Sequence, residues 1–375
     1  MKGTYVMNRT CKFRIYPTKQ QEQLFRKTFG CCRKVWNLML ADKKRFYEAT
    51  GSFGTQTPAR YKNSFPYLKE VDSFALCNVQ LQLQKAVRDA CRNKKAFRFP
   101  KFKSKKHCRK HSYTTNNNTG NIRISGSHIR LPKAGNVKAV IHRPVPEHWK
   151  LKSATVSMEP DGKFYVSVLF EYEGQTVPAT GNTDAIGLDY KLDGLYADSS
   201  GNTAGMPRYY RESLTKLARG QKRLSRKQKG SQNYLKQLRK VNKVHARIRN
   251  QRCDFLHKLS NGIANRYGIV CVEDLNLRSM ANKSFHNGMS VADAGYGMFL
   301  GMLAYKLPER GGKLVAVSRW YPSSQLCSRC GMRHPEMKDL RIRAMHCPCG
   351  NHMDRDTNAS INILKEGLRI AAASA

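Results

Sequence analysis

The chain has 375 residues, 40% of them hydrophobic, and carries 68 Lys and Arg against 26 Asp and Glu, a formal charge of +42. That length points to two or three globular domains, and a charge far above the magnitude of about 2 to 8 usual for a small soluble domain points to a polyanionic partner. Twelve cysteines in so long a chain do not read as a secreted disulfide framework; Met1-Lys2-Gly3-Thr4 offers no apolar signal core, and no apolar run approaches the ~20 residues of a membrane span, so a cytoplasmic protein with no membrane partner is expected. A duplex of about 20 base pairs carries roughly 40 phosphates, so the charge is of the size needed to grip a nucleic acid. A merely basic, ribosome-like surface is the blander reading, and the interleaved apolar segments argue against it.

Residues 5 to 16 read as a strand. Pro17-Thr18 then opens a helix whose Leu24, Phe25, Cys32, Val35, Trp36 and Leu40 recur near helical period. After a turn at residues 51 to 58, a second helix runs from Phe74 to about Lys95, with Leu76, Val79, Leu83, Ala86 and Val87 on one side. From Phe97 to about Glu173 the pattern becomes short alternating stretches separated by Gly, Pro and Asn, the signature of a β domain. The economical topology is one β barrel, begun by residues 5 to 16, with the helices inserted into it. Where the helical and β regions meet, Lys101, Lys103, Lys105 and Lys106 surround Phe102 and suit a phosphate-facing loop, a solvated charge run being the alternative.

Residues 176 to 183 look like a linker, after which Ala185-Ile-Gly-Leu-Asp189 starts an α/β pattern. Between Arg208 and Arg252 lie sixteen basic residues and one acid, Glu212, on a helical pattern broken near Gly230. Two long basic helices are expected there, with Arg223, Arg226 and Lys227 as candidate nucleic-acid contacts.

Two apolar runs, Ala185 to Leu188 and Ile269 to Val272, read as strands buried on both faces, and each ends in acid: Asp189 in the first, Glu273 with Asp274 in the second. A carboxylate so placed needs a cation, a proton or a solvent cleft; a strand-end surface acid is the ordinary alternative. A third acidic cluster, Asp354-Arg355-Asp356, leads into a final helix, where an N-terminal cap is the ordinary role. If these acids converge, they form a hard oxygen site for two Mg²⁺ ions, suited to phosphodiester hydrolysis.

Cys327-x2-Cys330-Gly331 followed by Cys347-Pro348-Cys349-Gly350 has the arrangement of a four-thiolate Zn²⁺ site. The second pair is tighter than the usual knuckle, so His346 is an alternative to Cys347, with His334 and His352 weaker candidates. Iron–sulfur ligation is disfavoured by the ribbon-like spacing. The remaining cysteines, Cys11, Cys31, Cys32, Cys77, Cys91, Cys108, Cys253 and Cys271, read as core thiols.

Taken in order, Gly187-Leu-Asp189-Tyr, Val272-Glu273-Asp-Leu-Asn276, Pro322-Ser-Ser-Gln-Leu-Cys327-Ser-Arg-Cys330-Gly and Asp354-Arg-Asp356-Thr-Asn358-Ala-Ser-Ile-Asn362 resemble the TnpB (OrfB) proteins of bacterial insertion sequences, relatives of the type V CRISPR effectors. Phe13-Arg-Ile-Tyr16-Pro17-Thr, Gln21 and Asn37 are similar to that family's N-terminal pattern. The resemblance implies a multidomain α+β protein. A wedge-like β barrel would span residues 1–17 and 96–178, with a helical recognition insertion at 18–95. A RuvC-like nuclease of RNase H fold would span 179–322 and 354–375, with a zinc-binding module at 323–353. It further implies a guide RNA from the transposon end, double-stranded target DNA, a short motif beside the target, and catalytic acids Asp189, Glu273 and Asp356. Asp356 is preferred to Asp354 because Asp-x-Asn-Ala is the part the wider family shares. The protein would then be a bacterial or archaeal, nucleoid-associated endodeoxyribonuclease, a monomer being favoured. A non-cleaving RNA-guided regulator and a guide-independent RuvC or RNase H-like nuclease are the competing readings.

Overall fold

The computed structural model describes residues 4–92, 98–105, 111–175, 184–191, 193–280 and 288–373. The linker expected at 176–183, together with Lys106 and Cys108, lies outside the described residues. The chain divides into two compact units, Thr4–Gly174 and Gln175–Ala375. Among the described residues no helix is long and apolar enough to cross a membrane.

The first unit begins with β1 (Thr4–Tyr16), whose period of two turns Cys11, Phe13 and Ile15 into the core. Thr18 then starts α1 (Lys19–Thr50) with a capping box: its hydroxyl accepts from the Gln21 amide while the Gln21 side chain accepts from the Thr18 amide. Gly51, at φ 68°, closes the same helix. α2 (Tyr61–Ser64) and α3 (Ser73–Arg92) follow, the latter burying Leu76, Val79, Leu83 and Val87 at helical spacing. The chain returns as β2 (His111–Asn116), β3 (Arg123–Ser125), β4 (His128–Leu131), β5 (Gly135–Val140), β6 (Lys150–Met158) and β7 (Phe164–Gln175). These strands and β1 form one sheet in the order β2-β6-β7-β1-β5-β4-β3. β1 thus sits in the middle of strands that follow it by about a hundred residues of chain. The hydrogen-bond ladder has two ends, β2 and β3, and does not close on itself among the described residues, so the expected barrel is represented by a sheet. Phe13, Phe25, Phe29, Trp36, Phe164 and Phe170 belong to the single apolar cluster that joins α1 and α3 to it.

Two of the cysteines read as core thiols are corrected here: Cys77 and Cys91 are exposed. Cys77 is one residue, about 100° of helix, off the buried stripe of α3, and Cys91 lies beyond its last buried position, Val87.

The second unit is built on β8 (Ala185–Tyr190), β9 (Tyr196–Asp198), β10 (Thr203–Ala204), β11 (Ile269–Glu273) and β12 (Lys313–Val317), in the order β10-β9-β8-β11-β12. β8, β9 and β10 pair antiparallel, while β8, β11 and β12 are parallel. The two expected basic helices are α4 (Tyr209–Ser225) and α5 (Gln232–Arg266). α6 (Leu277–Met280), α7 (Gly288–Ala294) and α8 (Tyr296–Lys306) connect β11 to β12. A small ribbon, β13 (Ala344–His346) with β14 (His352–Asp354), precedes α9 (Arg355–Ala373). Alternation along the central strands sorts the layers. Ile186, Leu188, Val270 and Val272 share a core with α5 and α8, whereas Cys271, Val315 and Val317 pack with Ile363 of α9.

Candidate active site

Register brings the first two acids together. Ile186, Gly187 and Leu188 pair with Val270, Cys271 and Val272, so Asp189 and Glu273 come next on adjacent parallel strands, on the face covered by α9.

α9 approaches that face most closely at two glycines. A Cβ on Gly187 would fall 2.1 Å from the Ser360 carbonyl oxygen and 2.8 Å from the Leu364 amide nitrogen. At the other end of the contact, a Cβ on Gly367 would fall 2.3 Å from the Cys271 sulfur. Only glycines permit so close an approach of helix and sheet. Gly187 and Asp189 point to the same face, and Asp356 lies one turn before Ser360, so the first turn of α9 is carried over Asp189.

The electrostatics follow. The Asp189 carboxyl is held well above the usual carboxylate range, first by burial and then by the negative charges of Glu273 and Asp356, with Arg355 and the Tyr190 amide opposing. Burial likewise raises Glu273, against a hydrogen bond donated by the Ser323 hydroxyl. Lys191 Nζ pairs with Asp356 at 3.2 Å. Asp354 has the capping role instead: its Oδ1 accepts from the amides of Asp356 and Thr357, both at 3.0 Å. Asp274, beside Glu273, pairs with Arg319. Two of the three carboxylates are thus raised, Asp189 by burial and both neighbouring charges and Glu273 by burial.

The four cysteines also converge. The sulfurs of Cys327, Cys330, Cys347 and Cys349 all lie within 4.8 Å of one another, with Cys327–Cys349 at 3.6 Å and Cys330–Cys347 at 3.5 Å. A tetrahedron with ~2.3 Å metal–sulfur bonds has edges of about 3.8 Å. Backbone amides of Cys330 and Arg329 and the Asn351 side chain outweigh burial and bring the Cys327 thiol down to about 6, while burial and contact with the neighbouring sulfurs raise Cys347 and Cys349, so one thiol of the cluster loses its proton most readily. His346 is outside this cluster, exposed, with Nδ1 2.6 Å from Nδ1 of His352. His334 is turned to Glu336, 3.0 Å away.

Asn358 and Asn362 tie this module to α9. Asn358 donates to the Leu326 carbonyl at 2.7 Å and accepts from the Ser328 amide at 2.9 Å; Asn362 donates to the carbonyls of Ser323 and Leu326. α9, through Asn362, therefore braces Ser323, and Ser323 braces Glu273.

Among the basic candidates, Lys101, Lys103 and Lys105 are exposed in the first unit. Their loop is pinned to α1 by Asn37, which exchanges two 2.8 Å hydrogen bonds with the Lys103 backbone, and Lys103 Nζ lies 3.5 Å from the Trp36 ring. Arg223 and Arg226 are exposed and Lys227 half-buried where α4 turns toward α5. Between these helices runs a groove of about 940 Å³ whose lining includes Lys216, Arg219, Arg223, Lys240, Lys243 and Arg247. Sequence reasoning did not single out Gly187, Gly367, Lys191 or Ser323 as site residues. Gly187 and Ser323 stood inside the quoted Gly-Leu-Asp-Tyr and Pro-Ser-Ser motifs, and Gly367 stood in none.

Over 98% of its length the chain is 35% identical to a Streptomyces pristinaespiralis protein provisionally named an RNA-guided DNA endonuclease, of which it covers 91%. The chain belongs to the TnpB (OrfB) family. A second relative, InsQ of Escherichia coli K12, provisionally given the same activity, is 30% identical over 96% of this TnpB-family chain and 92% of its own length. The OrfB family model of IS605, described as a probable transposase, matches residues 166–284, a Cas12f1-like TNB domain matches 296–363, and a helix-turn-helix domain matches 7–52. In this TnpB-family structure residues 7–52 are β1 and the single continuous helix α1. The fold is similar to that of Cas12f1 in a complex with single-guide RNA and target DNA, with a TM-score of 0.61, 13% identity and coverage of 96% and 98% of the two chains.

Proposed function

We propose that this protein is an RNA-guided DNA endonuclease that cuts double-stranded DNA beside a short adjacent motif, its guide RNA being derived from the transposon end. The observation that carries the reading is the strand register and close α9 contact that bring Glu273 and Asp356 to Asp189, whose carboxyl is held well above its ordinary range first by burial and then by those two charges. Such a site in a chain of charge +42 suits a phosphodiester of a bound nucleic acid. The sheet order β10-β9-β8-β11-β12, three antiparallel strands extended by two parallel ones, supports a RuvC-like, RNase H-type nuclease domain. The activities named for the Streptomyces and Escherichia relatives point the same way.

The three acids would hold two Mg²⁺ ions, which would supply water activation and stabilisation of the leaving 3′ oxygen. The chain's own residues set the geometry for this. Asp189 and Glu273 are fixed by strand register and Asp356 by the glycine contacts of α9. Ser323 orients Glu273, and Lys191 holds Asp356. Cys327, Cys330, Cys347 and Cys349 would hold one structural Zn²⁺, fixing the loop that carries Ser323.

The test is purification from cells carrying the reading frame with its flanking DNA. A discrete RNA should accompany the protein, and cleavage should require that RNA, a matched target and Mg²⁺. Asp189→Ala should abolish cleavage while RNA is retained. Equal cutting without RNA would overturn the guided reading, and undiminished cutting by Asp189→Ala would overturn the assigned site.

A further inference from the structure

Trp320 is 86% exposed, and no other large apolar side chain among the described residues exceeds 67%. An indole left in water is unfavourable for the free protein and suits a surface that acquires a flat partner. Its position identifies the partner. Val317, the last residue of β12, pairs with Glu273, and the Ser323 hydroxyl donates to the Glu273 carboxylate. The loop 317–323 is therefore tied to Glu273 at both ends, and Trp320 is its midpoint. Three residues of chain span at most about 10 Å, so the loop holds the Trp320 backbone near Glu273. The loop has internal bonds as well: the Trp320 amide donates to Ser318 Oγ at 3.3 Å, the Tyr321 amide to the Ser318 carbonyl at 2.9 Å, and the Ser323 amide to the Tyr321 carbonyl at 2.8 Å. Arg319 is fixed to Asp274.

We infer that Trp320 is a stacking platform for an unpaired base of the DNA strand being cut, seating the neighbouring phosphodiester at Asp189, Glu273 and Asp356. The inference rests on the nuclease reading and deepens it: a single strand can offer a base face there, whereas a paired duplex buries its faces in its own stack. Stacking on an aromatic side chain tolerates any base, which suits an enzyme whose sequence choice is made by a guide. Trp320 acts as a positioning residue that touches the substrate strand.

The experiment uses the complex of full chain and guide RNA. Trp320→Ala should cut a matched target about tenfold more slowly, in line with the value of one base–aromatic stack, with guide affinity and melting temperature unchanged. Trp320→Phe should recover most of the rate. Abasic substitutions flanking the cut should slow the wild type but not Trp320→Ala. Binding of a single-stranded oligothymidylate should quench a fluorescence component present in wild type and missing in Trp320→Phe; the other two tryptophans, Trp36 and Trp149, are buried and half-buried. Wild-type cutting by Trp320→Ala, multiplicative abasic and Trp320→Ala effects, or quenching produced by guide RNA alone would each overturn the inference. Failure of the wild type to cut at all would instead overturn the nuclease reading, and the oligothymidylate quench would still decide whether Trp320 stacks on DNA.

Discussion

The two units solve the problem of placing helices on a sheet in opposite ways. In Thr4–Gly174, α1 and α3 meet the sheet through large side chains, among them Phe25, Phe29, Trp36 and Leu83, which fill volume. In the second unit α9 meets β8 at Gly187, helix backbone against strand backbone, and seats Gly367 on the Cys271 side chain of β11. Side-chain packing tolerates small shifts at a graded cost in stability. Direct backbone contact leaves no slack, so it sets where Asp356 stands relative to Asp189. The scaffold is built for burial, and the site is built for position.

Substitution on each side of this comparison should separate the two. Gly187→Ala forces a methyl into the Ser360 carbonyl and should lower cleavage by about a hundredfold per folded molecule, as misplacement by about 1 Å does elsewhere. Phe25→Ala should cost about 3 to 5 kcal/mol in the unfolding free energy of the first unit, yet leave the cleavage rate of the folded complex intact. Equal effects on rate would erase the distinction.

The cysteine module gives the next largest effect. Cys347→Ser should remove the bound zinc, measured as about one ion per chain in the wild type, and expose the loop around Ser323 to protease. His346→Ala should retain the ion, because His346 faces His352 and not the four sulfurs.

A smaller effect concerns Asp189 without metal. Its folded value is raised above the unfolded one, so its contribution to stability is present at low pH and is lost as pH rises from about 4, the unfolded carboxylate value, through the raised folded value. Asp189→Asn should therefore melt about 2 to 4 °C higher than wild type at pH 7 in chelator, for each kcal/mol gained. The gap should close toward pH 4, and saturating Mg²⁺ should reverse its sign. A gap independent of pH would show that charge is not its cause.

The smallest effects belong to the dispersed basic residues. Arg223→Ala and Arg226→Ala should each lower the salt slope of nucleic-acid binding by about one if each contacts a phosphate.

The second unit declared itself in sequence more fully than the first, for a physical reason. An acid at the end of an apolar run, as at Asp189 and Glu273, conflicts with its surroundings unless a site resolves the conflict, and that conflict is visible without a structure. Paired cysteines followed by glycines carry a similar signal. Asp354 and Asp356 were separable only by family resemblance, because cap and ligand use the same residue type; the amides of Asp356 and Thr357 on Asp354 distinguish them in three dimensions. Gly187 opened a quoted motif without its packing role being visible, and Gly367 gave no advance notice, since a glycine's meaning lies in what approaches it. In the first unit the helices and strands followed from periodicity. That β1 shares a sheet with the later strands was inferred only as the simplest topology, and its central place is a matter of long-range pairing that local pattern does not encode.

The most direct test of the account is the Mg²⁺-dependent rate of guided cleavage by Asp356→Asn and Asp354→Asn, two isosteric changes two residues apart. Asn caps a helix as well as Asp does, so Asp354→Asn should cut within about threefold of wild type, whereas Asp356→Asn should lose at least about a thousandfold. Cleavage by Asp356→Asn at the wild-type rate, or a greater loss in Asp354→Asn, would contradict the site described here.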